Sequence, residues 1–96
     1  MATDNETYWN KMVPELTVMD FAQSLDFYQR ILGFHVRVRR DDPDFAYACL
    51  GEAQLMLEAF HTQGWNVATL ARPLGRGINL QIEVDSLTPL RTHLGA

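Results

Sequence analysis

Three carboxylates stand where strand alternation sets them on one side of a sheet: Glu15 in "PELTV", Glu58 in "LMLEAF" and Glu83 in "NLQIEV". If Leu16, Val18, Leu80, Ile82 and Val84 pack inward, the opposite face carries Glu15, Thr17, Asn79, Gln81 and Glu83. In the stretch from Gln54 to Phe60, Leu55, Leu57 and Ala59 go with the core, leaving Gln54, Met56, Glu58 and Phe60 on the other side. Such a face is acidic, with apolar patches at Met56 and Phe60. Carboxylates attract a cation, and ring or thioether surface takes the planar part of an organic molecule. Polar residues on the outer face of a half-buried sheet are also the ordinary solvated state, so both readings stand at this point.

The other chemistry-bearing residues exclude more than they suggest. His35, His61 and His93 have no mutual spacing of the metal-binding kind, such as i, i+4 on one helix. His61 reads as a loop histidine facing solvent. Cys49 alternates with Phe45 and Tyr47 and reads as a small buried residue. There is no G-x-S-x-G elbow, no phosphate-binding glycine loop and no C-x-x-C. "GRG" at Gly75 to Gly77 reads as a flexible turn delivering the chain into the next strand.

Ninety-six residues make one domain, 47% apolar and 21% charged, an ordinary globular composition. No apolar run approaches the roughly 20 residues of a membrane span, so no membrane partner is expected. The polar, acidic start "MATDNETYWNK" resembles neither a secretory signal nor a transit peptide. One cysteine rules out an internal disulfide framework and fits a cytoplasmic location. The net charge of -4 argues against nucleic acid as a partner. "RVRR" (Arg37 to Arg40) is a basic cluster, but "DDPD" follows at once and cancels it; the cluster reads as a solvated strand face.

These side chains need elements to hold them. "VPELTV" reads as a strand, and Asp20 is a good N-cap for a helix over "FAQSLDFYQRILG". Phe21, Leu25, Tyr28 and Leu32 form its apolar stripe, widened by Ser24, Phe27 and Ile31, and Gly33 supplies the left-handed stop. "FHVRVRR" alternates with Val36 and Val38 inward, "DDPD" turns, "FAYACL" is a strand, "GEAQ" turns, and "LMLEAF" is a fourth strand. Residues 61–77 lack periodicity and read as a linking loop. Ile78 to Val84 then alternates as a strand leading into a helix. Offset by 66 residues, "ELTV" aligns with "QIEV" and the first helix with the last, which suggests a repeat.

The stretches "PELTVMDFAQSLDFYQRILGF", "FAYACLGEAQLMLE" and "RPLGRGINLQIEVDSL" resemble the vicinal oxygen chelate superfamily, and within it the glyoxalase/bleomycin-resistance-like proteins. The resemblance covers Met12 to Ala96. It implies an α+β fold built from βαβββ modules, with a curled mixed sheet around a cavity. On this reading residues 11–60 are the first module and 78–96 the strand and helix that start a second. A strand left without companions invites association, so the reading expects a homodimer whose groove is built from both chains, or a piece of a longer product.

The resemblance also implies where a metal would sit: at Val13, Glu58 and Asn79, with a fourth position expected beyond the end of the sequence. Val13 has no donor, Asn79 is a poor substitute for imidazole, and a lone carboxylate does not hold a catalytic divalent ion. No metal or other cofactor is therefore expected, and no catalytic residue. The implied role is that of a metal-free, bleomycin-resistance-like protein, hence antibiotic resistance, that sequesters a small cationic, partly aromatic drug or metabolite. The groove residues are Glu15, Thr17, Met56, Glu58, Phe60, Asn79, Gln81 and Glu83. Trp65, on the loop, either closes over the groove or anchors the loop to the core. The rivals are a divalent-metal lyase or dioxygenase of the same superfamily, and a small-molecule sensor module.

Overall fold

The computed structural model describes residues 8–62, 70–72, 74 and 77–94. Trp65 and most of the linking loop lie outside the described residues. Strand β1 (Glu15–Val18) leads to helix α1 (Phe21–Asp26). Strands β2 (His35–Arg40), β3 (Phe45–Leu50) and β4 (Ala53–Ala59) follow, and helix α2 (Thr88–His93) comes last. The four strands make one sheet in the order β1-β4-β3-β2. β1 runs parallel to β4, and the other two pairings are antiparallel. This is the βαβββ order expected over residues 11–60.

Asp20 caps α1 by accepting a hydrogen bond from the backbone N–H of Gln23 at 3.0 Å. The helix does not stay regular. Over Phe27–Ile31 it widens into a π-helical turn, closed by the Leu32 N–H donating to Phe27 O at 3.0 Å. Gly33, at φ 89°, then reverses the chain, and the Phe34 N–H reaches back to Tyr28 O at 2.8 Å. The stripe packs as expected at Phe21, Leu25, Tyr28 and Leu32. Phe27 instead lies exposed, its ring edge-on to Tyr28.

Each face of the sheet carries its own apolar cluster. Phe21, Phe34, Ala46, Ala48, Leu55 and Leu57 form the core beneath α1, joined by Leu16, Val18 and Ala59. Phe45, Tyr47 and Cys49 pack on the opposite face with Val13 and Met56. The alternation of β1 and β4 is thus as read from the sequence. That of β2 is not. A bulge between Val36 and Val38 shifts the ladder, so Val36 pairs with Ala48 but Val38 pairs with Tyr47. One extra residue moves Val38 to the other face, where it is 37% exposed. The same shift carries Arg39 to the core side, where its guanidinium lies 4.6 Å from the Phe21 ring centroid.

Two further expectations are corrected. The sheet is open, with β1 and β2 at its edges, and is not strongly curled around a cavity. Four strands are too few to close on themselves. The stretch Ile78 to Val84 is not a strand either: it joins no ladder in the structure. Alternation makes a strand only where a neighbour takes up the backbone hydrogen bonds. The helix after it does form, with Pro89 in its first turn, and the His93 Nδ1 sits 3.1 Å from Ile31 O.

Candidate functional site

The face opposite α1 is laid out in rows by the ladder register. One row runs Thr17, Glu58, Phe45, Arg40 from edge to edge. The next runs Glu15, Met56, Tyr47, Val38, and a third holds Gln54, Cys49 and His35. Four expected groove residues, Glu15, Thr17, Met56 and Glu58, are therefore neighbours on β1 and β4. Phe60 follows directly after β4, 40% exposed, with its N–H bonded to Val18 O.

The acidic pair defines this end of the face. Glu15 and Glu58 stand diagonally on neighbouring strands, Glu15 opposite Met56 and Glu58 opposite Thr17. Burial first, then hydrogen bonding with and the charge of Glu58, raise the Glu15 pKa above its ordinary 4.5, while Arg40 and His61 pull it down. His61 is half-buried, its Nε2 3.2 Å from Glu58 Oε2. It does not simply face solvent. The i, i+3 spacing of Glu58 and His61 is the signal that could have found it. Arg40 lies 4.2 Å from the Phe45 ring centroid, capping the row from the far edge.

Asn79, Gln81 and Glu83 are not brought to this cluster. Gln81 and Glu83 instead line an open cleft of about 530 Å³ against Leu50 to Ala53, at the β3–β4 turn. Asn79 is exposed. The far end of the face holds groups that the reading of the groove passed over. Arg37, the extra residue of the bulge, lies with its guanidinium 3.6 Å from the Trp9 ring centroid. Gln54, only 6% exposed, accepts from the Asn10 N–H at 2.9 Å and donates to Tyr8 O at 2.7 Å.

Residues 11–81 match the family described as the Glyoxalase/Bleomycin resistance protein/Dioxygenase superfamily. The chain belongs to this superfamily. Among solved structures, a glyoxalase/bleomycin resistance protein/dioxygenase superfamily member from Vibrio splendidus 12B01 is similar at 35% identity with a TM-score of 0.50. The match covers 86% of this chain and 64% of the Vibrio protein, so the chain spans less than two thirds of that relative. An integron cassette protein from the mobile metagenome of the Halifax Harbour sewage outfall shares the fold, at 18% identity and a TM-score of 0.51. That match covers 90% of this chain and 70% of the cassette protein. No curated protein matches the chain.

Superfamily membership brings metal chemistry into question. Val13 packs against the cluster of Phe45, Tyr47 and Cys49 and has no donor atom. Asn79 stands outside the ladder, which leaves Glu58 alone among the positions that the resemblance points to. Among the described residues no group of three or more His, Cys, Asp or Glu is arranged to hold an ion. These residues do not fit a resident divalent metal. Among the described residues, too, no helix is long and apolar enough to cross a membrane.

Proposed function

We propose that this superfamily member binds a small organic cation with a planar part on the acidic end of its sheet face, without a metal and without chemistry. The pairing of Glu15 with Glu58 carries the reading. Two carboxylates set diagonally on neighbouring strands offer a site for a ligand cation. Thr17, Met56 and Phe60 flank the pair and supply a hydroxyl and apolar contact. The resemblance to bleomycin-resistance proteins supports sequestration, and with it drug resistance in the cytoplasm, as the biological role.

The groove of this reading is completed by a second copy of the chain. The apolar residues Ile78, Leu80 and Ile82 are 63%, 45% and 36% exposed, a surface suited to burial in a homodimer. Asn79, Gln81 and Glu83 alternate with them along the chain and would join the groove from the partner's side. Thermal-shift measurements with N-methylquinolinium, its uncharged carbon analogue and a set of divalent metals test the proposal. Stabilisation by the quinolinium alone is expected; stabilisation by a metal alone would overturn it.

A further inference from the structure

The second half of the sheet face is covered by the chain itself. Tyr8, Trp9 and Asn10 cross it as a strap tied at four places. Arg37 Nη1 donates to Tyr8 O at 2.6 Å, and Gln54 Nε2 donates to the same oxygen at 2.7 Å. The Asn10 N–H donates to Gln54 Oε1 at 2.9 Å, while Asn10 Nδ2 donates to Glu52 O at 2.9 Å. Between these ties the Trp9 ring has the Arg37 guanidinium over its face and meets Tyr47 edge-on, centroids 4.7 Å apart.

This arrangement has the form of recognition rather than of packing. Gln54 is the one buried polar side chain among the described residues, and it pairs with the main chain on both sides of Trp9. The Asn10 N–H and Tyr8 O fix which way the amide points, and Tyr47 donates its hydroxyl to the same Gln54 Oε1. An amide donor and acceptor, a guanidinium and a ring edge thus converge on one aromatic residue and its flanking peptide groups. A packed core needs none of that polarity, since buried polar groups cost free energy unless each is satisfied. Beside the ring, a cleft of about 400 Å³ opens along His35, Arg37 and Val38. The strap itself is half in solvent, with Trp9 51% exposed, so it can lift without unfolding the core.

We propose that Arg37, Tyr47 and Gln54 form a receptor for an aromatic ring bearing a neighbouring amide, that Tyr8–Asn10 occupies it as an internal surrogate, and that a ligand of this chemistry enters by displacing the strap. The receptor uses none of the residues of the acidic end, so it stands or falls separately from the cation site. Cys49 reports on it. It is the only cysteine of the chain and is 1% exposed, with Arg37 Nη1 4.0 Å from its sulfur. Because the strap holds Arg37 in place, lifting the strap opens the thiol.

The experiment measures the rate at which an aromatic disulfide reagent labels Cys49 under native conditions. In Trp9→Ala, labelling is expected to quicken about tenfold with an unchanged circular dichroism spectrum, as local opening becomes easier. Asn10→Ala, which loses only an exposed tie, should give a smaller increase. Millimolar N-acetyltryptophanamide should then slow labelling of Trp9→Ala back toward the wild-type rate, while shifting the wild type little. Wild-type labelling rates in both folded variants would overturn the strap. Faster labelling that N-acetyltryptophanamide does not slow would overturn the receptor. If Trp9→Ala does not fold, Trp9→Leu, which also removes the ring from the receptor, is read in the same two ways.

Discussion

Glu15 and Glu58 meet diagonally across the β1–β4 ladder: Glu15 stands opposite Met56 and Glu58 opposite Thr17, and after burial the neighbouring Glu58 raises the Glu15 pKa. The chain holds them there because parallel pairing fixes the register and the core residues Leu16 and Leu57 fix the face. A raised carboxyl pKa has a pH signature. Since the folded pKa of Glu15 is raised above 4.5, the folded state keeps a proton that the unfolded chain releases. Stability is therefore fullest below 4.5 and falls as pH rises from there through the folded pKa. Glu15→Gln keeps a donor and removes the charge. Its melting temperature should fall less than that of the wild type between pH 4.5 and about pH 7. Equal slopes in the two proteins would show that the pair is not coupled.

The core under α1 depends on few large residues. Leu57 is fully buried, at 0% exposure, between Leu16 and Ala46 in the sheet. Leu57→Ala should cost ~2–5 kcal/mol in urea denaturation, a large share of what a small domain has in reserve. A loss below ~1 kcal/mol would mean that the cavity collapses or that the sheet is less closely packed than the structure shows.

Gly33 is required by backbone conformation and not by space. A Cβ there would meet nothing nearer than Leu50 Cδ1 at 4.0 Å, yet φ is 89°. Gly33→Ala should therefore destabilise by ~1–2 kcal/mol through the left-handed conformation alone. Gly33→Asn, more tolerant of positive φ, should recover part of that loss, and an Asn variant no better than Ala would count against this account.

With no donor at Val13 and Asn79 outside the ladder, removing metals should change nothing. Dialysis against a strong chelator is expected to leave the melting temperature where it was, and elemental analysis to find no stoichiometric zinc, nickel, iron or manganese. About one divalent ion per chain would favour the superfamily's lyases and dioxygenases as the guide to function.

The order of elements and the two faces of β1 and β4 were legible in the sequence because they rest on local periodicity and on capping by Asp20 and Gly33. What was missed depends on contacts distant in sequence. The bulge at Arg37 leaves no mark in "FHVRVRR", yet it decides which face Val38 and Arg39 occupy. The arginines read as a solvated face lie over Trp9, Phe21 and Phe45, and Arg39 also pairs with Asp41 and Asp44 at 3.2 and 3.0 Å. The acids of "DDPD" do offset the cluster, as read. Alternation over Ile78 to Val84 pointed to a strand, but a strand needs a neighbour, and periodicity does not report whether one is there.

Isothermal titration of N-methylquinolinium tests the central claim most directly, run on the wild type and on Glu58→Gln at low and high salt. The account predicts binding that weakens in Glu58→Gln without loss of folding. It also predicts that wild-type binding weakens with salt, because exposed attraction is screened within about 8–10 Å at physiological ionic strength. Binding of equal strength in both proteins at both salt concentrations would contradict it.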